Sequence, residues 1–131
     1  MQWLYDVAYF FGGAFLINAL PHLISGLTGR AFQSPFAKPS GQGLSSSLVN
    51  VLWGFFNLVM AYLLLCRVGI FDLRALDQIS VAGLGALLLG LFCARHFGQF
   101  HGGNDPYDRQ VAKEQDLGGA GQETLQETDL G

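Results

Sequence analysis

Charge is what this sequence has least of. Of its 131 residues 13% are charged and 50% are apolar, where ordinary soluble domains carry roughly 25% charged residues. Over residues 1–100 the charged side chains are Asp6, Arg30, Lys38, Arg67, Asp72, Arg74, Asp77 and Arg95, which leaves charge-free runs at 7–29, 39–66 and 78–94. A water-soluble three-helix protein would need a polar face on each helix, and these runs supply none. Basic clusters are missing too. The formal net charge is −3, so nucleic acid is not an expected partner.

Cysteine is scarce, with Cys66 and Cys93 alone. In antiparallel neighbouring spans they fall at opposite membrane faces, beyond the Cα separation of about 7 Å that a disulfide tolerates. Two thiols behaving as small buried hydrophobes is the expectation. The opening "MQWLYD" lacks the basic n-region of a secretory signal, so the first apolar run is read as a span that stays in the mature chain. Neither H-E-x-x-H nor C-x-x-C-H nor G-x-S-x-G occurs. Asp6, Asp72 and Asp77 belong to the opposite membrane face from His22. No catalytic residue and no metal site is expected, and the balance leans away from an enzyme.

What is there are three apolar runs long enough to cross a hydrocarbon core of about 30 Å, which takes about 20 helical residues. The fold class expected is an all-α integral membrane protein, with three transmembrane helices in a small bundle and a disordered acidic C-terminal tail. The spans are placed at about 3–27, 48–66 and 79–97 within a membrane domain of residues 1–100. Trp3, Tyr5 and Tyr9 suit an interfacial aromatic belt at the first of them. The loop 28–47 is rich in Gly, Pro and Ser and reads as irregular. Its Phe32 and Phe36 suggest that it lies on the membrane surface or covers the end of the bundle. In the tail, 101–131, Asp105, Asp108, Glu114, Asp116, Glu123, Glu127 and Asp129 outnumber Arg109 and Lys113. The Asp105–Pro106 pair can start a short helix over 106–117, and the remainder is too polar to fold alone.

Helical spacing sorts the few polar residues. Asn50, Gly54, Asn57 and Ala61 share one face of the second span; Ala14, Asn18, His22 and Ser25 share one face of the first. Ala82, Ala86, Gly90 and Ala94 recur every fourth residue in the third, a small-xxx-small pattern that lets helix backbones approach. All three stripes are expected to point inward, with Asn18 bonding to Asn50 across the first two spans. Asn57 sits near mid-span, and Asn50 lies about 10 Å from it toward the loop 28–47.

The stretch "INALPHLISG", 17–26, sets an amide, a proline and an imidazole into the first charge-free run. Its Asn18 and His22, with Asn50, Asn57, Arg95 and His96, form a candidate polar cluster, all but mid-span Asn57 lying toward the loop 28–47. Two imidazoles on different spans, His22 and His96, offer a low-weight route to a haem or quinone, but the repeated Ala/Gly stripe favours tight packing, and no cofactor is the expectation. The expected function is a non-enzymatic multi-pass protein in contact with the lipid bilayer, packing as a homo-oligomer or with a larger membrane partner. The alternative is a small oligomeric channel or transporter subunit using Asn18, His22, Asn50 and Asn57. Arg30, Lys38, Arg95, Arg109 and Lys113 flank one side and Arg67 and Arg74 the other. That bias places the first loop and tail in the cytoplasm, with a bacterial inner membrane as the expected location.

Overall fold

A computed structural model describes the backbone of residues 1–128 and the side chains of residues 1–117. In chain order it has α1 (Gln2–Leu27), β1 (Phe32–Gln33), β2 (Leu44–Ser45), α2 (Ser47–Cys66), α3 (Leu76–His101) and α4 (Pro106–Thr128). Three of the helices are long and apolar enough to cross a membrane. By its contacts the chain forms two units, 1–93 and 94–131.

The first unit is arranged opposite to a water-soluble core. Large apolar side chains point outward: Phe11, Leu52, Phe55, Leu84, Leu87 and Leu91 are all exposed. Inside are small residues, Ala8, Ala14, Ala19, Ala61 and Ala82, together with Tyr9, His22, Asn50 and Asn57. In water this would forfeit most of the hydrophobic driving force. In lipid it is the arrangement that lets helices approach and keeps polar groups off hydrocarbon.

Helix α1 runs through Pro21 and ends at Leu27. Proline removes the N–H that would have reached the Ile17 carbonyl, yet the helix continues for six more residues. Its stop is a Schellman turn: Gly29, at φ 73°, donates to the Gly26 carbonyl at 3.0 Å, and Arg30 donates to Ser25 at 2.8 Å. Helix α2 starts on Ser46, whose hydroxyl accepts from the Val49 N–H at 3.3 Å, the usual N-cap device.

Helices α1 and α2 are antiparallel neighbours, and the register can be read from close approaches. A Cβ on Gly26 would meet Ser47 and Val51, one on Gly54 would meet Leu23, and one on Gly12 would meet Leu64 and Leu65. Helix α3 meets α1 backbone to backbone. A Cβ on Gly13 would strike the Ala82 carbonyl, and one on Gly85 would strike the Phe10 carbonyl. Ala82 therefore packs inward as its stripe predicts. An equally close α3 contact falls on Gly85, three residues on and outside the four-residue repeat, because 3.6 residues per turn lets i+3 share a face with i. Ala86 and Gly90 are partly covered, and Ala94 is exposed.

The loop 28–47 is more ordered than its composition suggests. Phe32 pairs with Ser45 and Gln33 with Leu44 in a two-stranded antiparallel ribbon, and Phe32, Gln33 and Ser34 are buried. The Ser34 and Ser45 hydroxyls bond each other across the ribbon.

In the second unit the last turns of α3 end at Gly102, at φ 77°. Asn104 folds back to donate to the Arg95 carbonyl at 2.9 Å. The His96 ring lies edge-on to Phe97 and Phe100. Helix α4 begins at the Asp105–Pro106 pair and extends to Thr128, past the 106–117 expected from sequence. The expectation of a tail without fixed structure reaches residues 129–131, which lie outside the described residues.

Candidate functional site

The polar side chains of the first unit form two linked groups. Midway along α2, Asn57 Oδ1 accepts from Asn18 Nδ2 at 2.9 Å. Asn57 in turn donates from Nδ2 to the Trp53 carbonyl at 2.7 Å. The Cys93 thiol, 3.7 Å away, donates to Asn18 Oδ1. A thiol is a weak donor, but the chain of contacts runs from α3 through α1 to α2. Every amide orientation follows from the last link, because a carbonyl can only accept.

One to two turns nearer the ribbon, His22 Nδ1 lies 2.9 Å from Asn50 Oδ1. The Asn50 Nδ2 faces three backbone carbonyls, Phe32 at 3.1 Å, Ser45 at 3.2 Å and Ser46 at 3.1 Å. Three acceptors around Nδ2 fix the amide, so Oδ1 must accept and His22 must donate from Nδ1. The neutral imidazole therefore keeps its lone pair on Nε2. Asn50 is fully buried and His22 is 3% exposed. Asn50 is the residue that ties the ribbon to the bundle: one side chain holds the end of β1, the end of β2 and the imidazole of α1.

This pairing corrects the expected Asn18–Asn50 bond. With α1 and α2 antiparallel and Leu23 level with Gly54, each step along α1 is a step back along α2. Asn18 thus lies level with Asn57, and Asn50 lies level with His22. The stripe was legible from spacing; the register was not, because it is set by where the loop lets α2 begin.

Aromatic rings close the site. Phe32 packs edge-on against His22 with centroids 5.5 Å apart, and Trp53 lies 6.4 Å from the same ring. Phe36 abuts Trp53 edge-on at 5.2 Å, and Phe56 stacks on it at 5.3 Å. The loop thus caps the His22 end. Trp53, Phe32 and Phe36 belong to this site and sequence reasoning left them out of it, although the two loop phenylalanines were the available signal. The Trp53 Nε1–H is buried without a hydrogen-bond partner among the described residues.

Of the expected cluster, Asn18, His22, Asn50 and Asn57 are brought together. Arg95 and His96 belong to the second unit, where Arg95 is exposed and His96 is partly covered. Gly54 packs against Leu23. Cys66 and Cys93 are both free thiols, the first exposed. No group of three or more His, Cys, Asp or Glu side chains placed to hold a metal occurs among the described residues.

Compared with known proteins, the chain matches no family model, no curated protein and no solved structure.

Proposed function

We propose that the chain is a small multi-pass membrane protein without chemistry of its own, which works by packing with a second copy or with a larger membrane protein. The observation that supports this best is the use of the buried polar side chains. Asn18, Asn57, His22 and Asn50 bond to one another and to backbone carbonyls, as internal fasteners do. A polar route for ions or solutes would instead need such groups to face a water-filled path. Asn50 and Asn57 are fully buried, which weighs against the channel reading.

Ala82 and Gly85 are taken up against α1, so the face of α3 left for a neighbour carries Gly83, Leu84, Leu87 and Leu91, all exposed. A Cβ on Gly83 has nothing within 4 Å. A bacterial inner membrane, with the loop 28–47 and the acidic tail on the cytoplasmic side, remains the reading of the Lys/Arg bias. The tail then supplies the soluble contact.

Two measurements test this. The protein should stay with membranes after alkaline carbonate extraction; release into the supernatant would sink the membrane reading. In crosslinked membranes, Gly83→Leu should change the pattern of crosslinked species while leaving thermal stability in detergent unchanged. An unchanged pattern in both Gly83→Leu and Leu87→Trp would remove this face from the proposal.

A further inference from the structure

The end of the bundle away from the ribbon holds a cleft of about 470 Å³. It is lined by Gln2, Tyr5 and Tyr9 from the start of α1, by Arg67 to Ile70 after α2, and by Gln78 from the first turn of α3. Its floor is well fixed. Tyr9 is 1% exposed, its ring lies edge-on to Phe71 at 5.0 Å, and its hydroxyl faces Gly69, where a Cβ would crowd it. The Gln78 side chain is oriented as well. Its Oε1 accepts from the Asp72 N–H at 2.8 Å, which leaves the amide NH₂ as the end that can serve the cleft.

The lining is rich in donors. Its lining residues include one arginine, two tyrosines and two glutamines, with no acid among them. Such a set recognises an oxyanion, and a guanidinium paired with hydroxyl donors suits a phosphate. Asp6 and Asp77 lie near enough to Tyr9 to interact with it electrostatically, but they do not line the cleft. One cation inside and three acids outside, Asp6, Asp77 and Asp72 beside Gln78, match a single negative charge better than two. A phosphodiester carries one charge; inorganic phosphate near neutral pH carries more.

We propose that this cleft binds the phosphodiester of an anionic phospholipid, with Arg67 as the charge partner and Tyr5, Gln2 and Gln78 as hydrogen-bond donors over the buried Tyr9. The site rests on the membrane reading above, since the ends of spanning helices are where headgroups lie.

The test uses the full chain in an uncharged detergent. Dihexanoyl-phosphatidylglycerol is titrated in while the side-chain amide resonances of Gln2 and Gln78 are followed. Saturable shifts are expected, with affinity reduced about tenfold or more in Arg67→Gln, as loss of a charge-assisted hydrogen bond predicts. Tyr5→Phe should weaken binding less, and it guards against an Arg67→Gln protein that does not fold. Inorganic phosphate at the same concentrations should give no saturation. Equal saturation by inorganic phosphate would mean a free-phosphate site and overturn the lipid assignment. Silence in the wild type, or equal affinity in all three proteins, would remove the site. Carbonate extraction separates the failures: a chain retained by membranes but silent here loses only this site, not its place in the bilayer.

Discussion

The two ends of the first unit solve different problems with the same kinds of residue. At the ribbon end, polar side chains are enclosed and bonded to one another, and aromatic rings are packed over them as a roof. At the link end, Gln2, Tyr5, Arg67 and Gln78 line an open cleft above the buried Tyr9. A buried amide has value only when its hydrogen bonds are made, because an unmade one costs about 1–3 kcal/mol. An exposed donor pays no such penalty and stays available to a ligand. The ribbon end should therefore govern stability, and the link end should be nearly neutral to it.

The largest effect expected is at Asn50. Asn50→Leu removes the acceptor for His22 Nδ1 and the donor shared by the Phe32, Ser45 and Ser46 carbonyls. His22 and the Phe32 and Ser45 carbonyls would lose this partner, while the Ser46 carbonyl keeps the Asn50 N–H, so a loss of about 3 kcal/mol is expected. Reversible unfolding in mixed micelles reads this directly, and limited proteolysis should show the loop 28–47 opening first. Arg67→Gln is the comparison at the other end, expected within about 0.5 kcal/mol of the wild type as a surface change. Equal losses in the two variants would break the contrast between the ends.

How much of this was legible in the sequence depends on what each feature rests on. The three helices long and apolar enough to cross a membrane follow from charge-free runs, and a run of that kind is local in sequence. The inward faces of α1 and α2 follow from helical spacing, which is equally local. The partner choice, Asn18 with Asn57 rather than Asn50, depends on the α1–α2 register, which is not local. The Gly85 contact was missed because a strict four-residue repeat drifts around a helix of 3.6 residues per turn, so the true contact line shifts by one residue. The ribbon was missed for a related reason. Its two strands are two residues each, too short for an alternating pattern, and they are held by the Asn50 side chain, whose role appears only when α2 is set beside them.

A smaller effect is expected midway along α2, and it sharpens the same contrast. Asn57→Leu removes the acceptor for Asn18 but leaves Asn18 next to the Cys93 thiol. Interhelical hydrogen bonds in membranes average about 0.6 kcal/mol and reach about 1.7, so a loss near 1 kcal/mol is expected. In a double-mutant cycle with Asn18→Leu the coupling should be of that size. A coupling indistinguishable from zero would mean the bond is geometrically present but energetically idle.

A change at Trp53 has the opposite sign. Trp53 contributes ring contacts to His22, Phe36 and Phe56, but its Nε1–H is buried with no partner among the described residues. Trp53→Phe keeps a ring in place and removes the orphaned donor. Relief of an unmade hydrogen bond is worth about 1–3 kcal/mol, and the lost indole volume offsets part of that through weaker packing. The balance is a variant as stable as the wild type or up to about 1 kcal/mol more stable, read from the same unfolding curve. Trp53→Leu separates the two contributions: it removes the donor as well but also the stacking on Phe56, so it should fall below Trp53→Phe. A Trp53→Phe protein destabilised by more than about 1 kcal/mol would show that the indole N–H has an acceptor, and the enclosed end would then be fully bonded rather than nearly so.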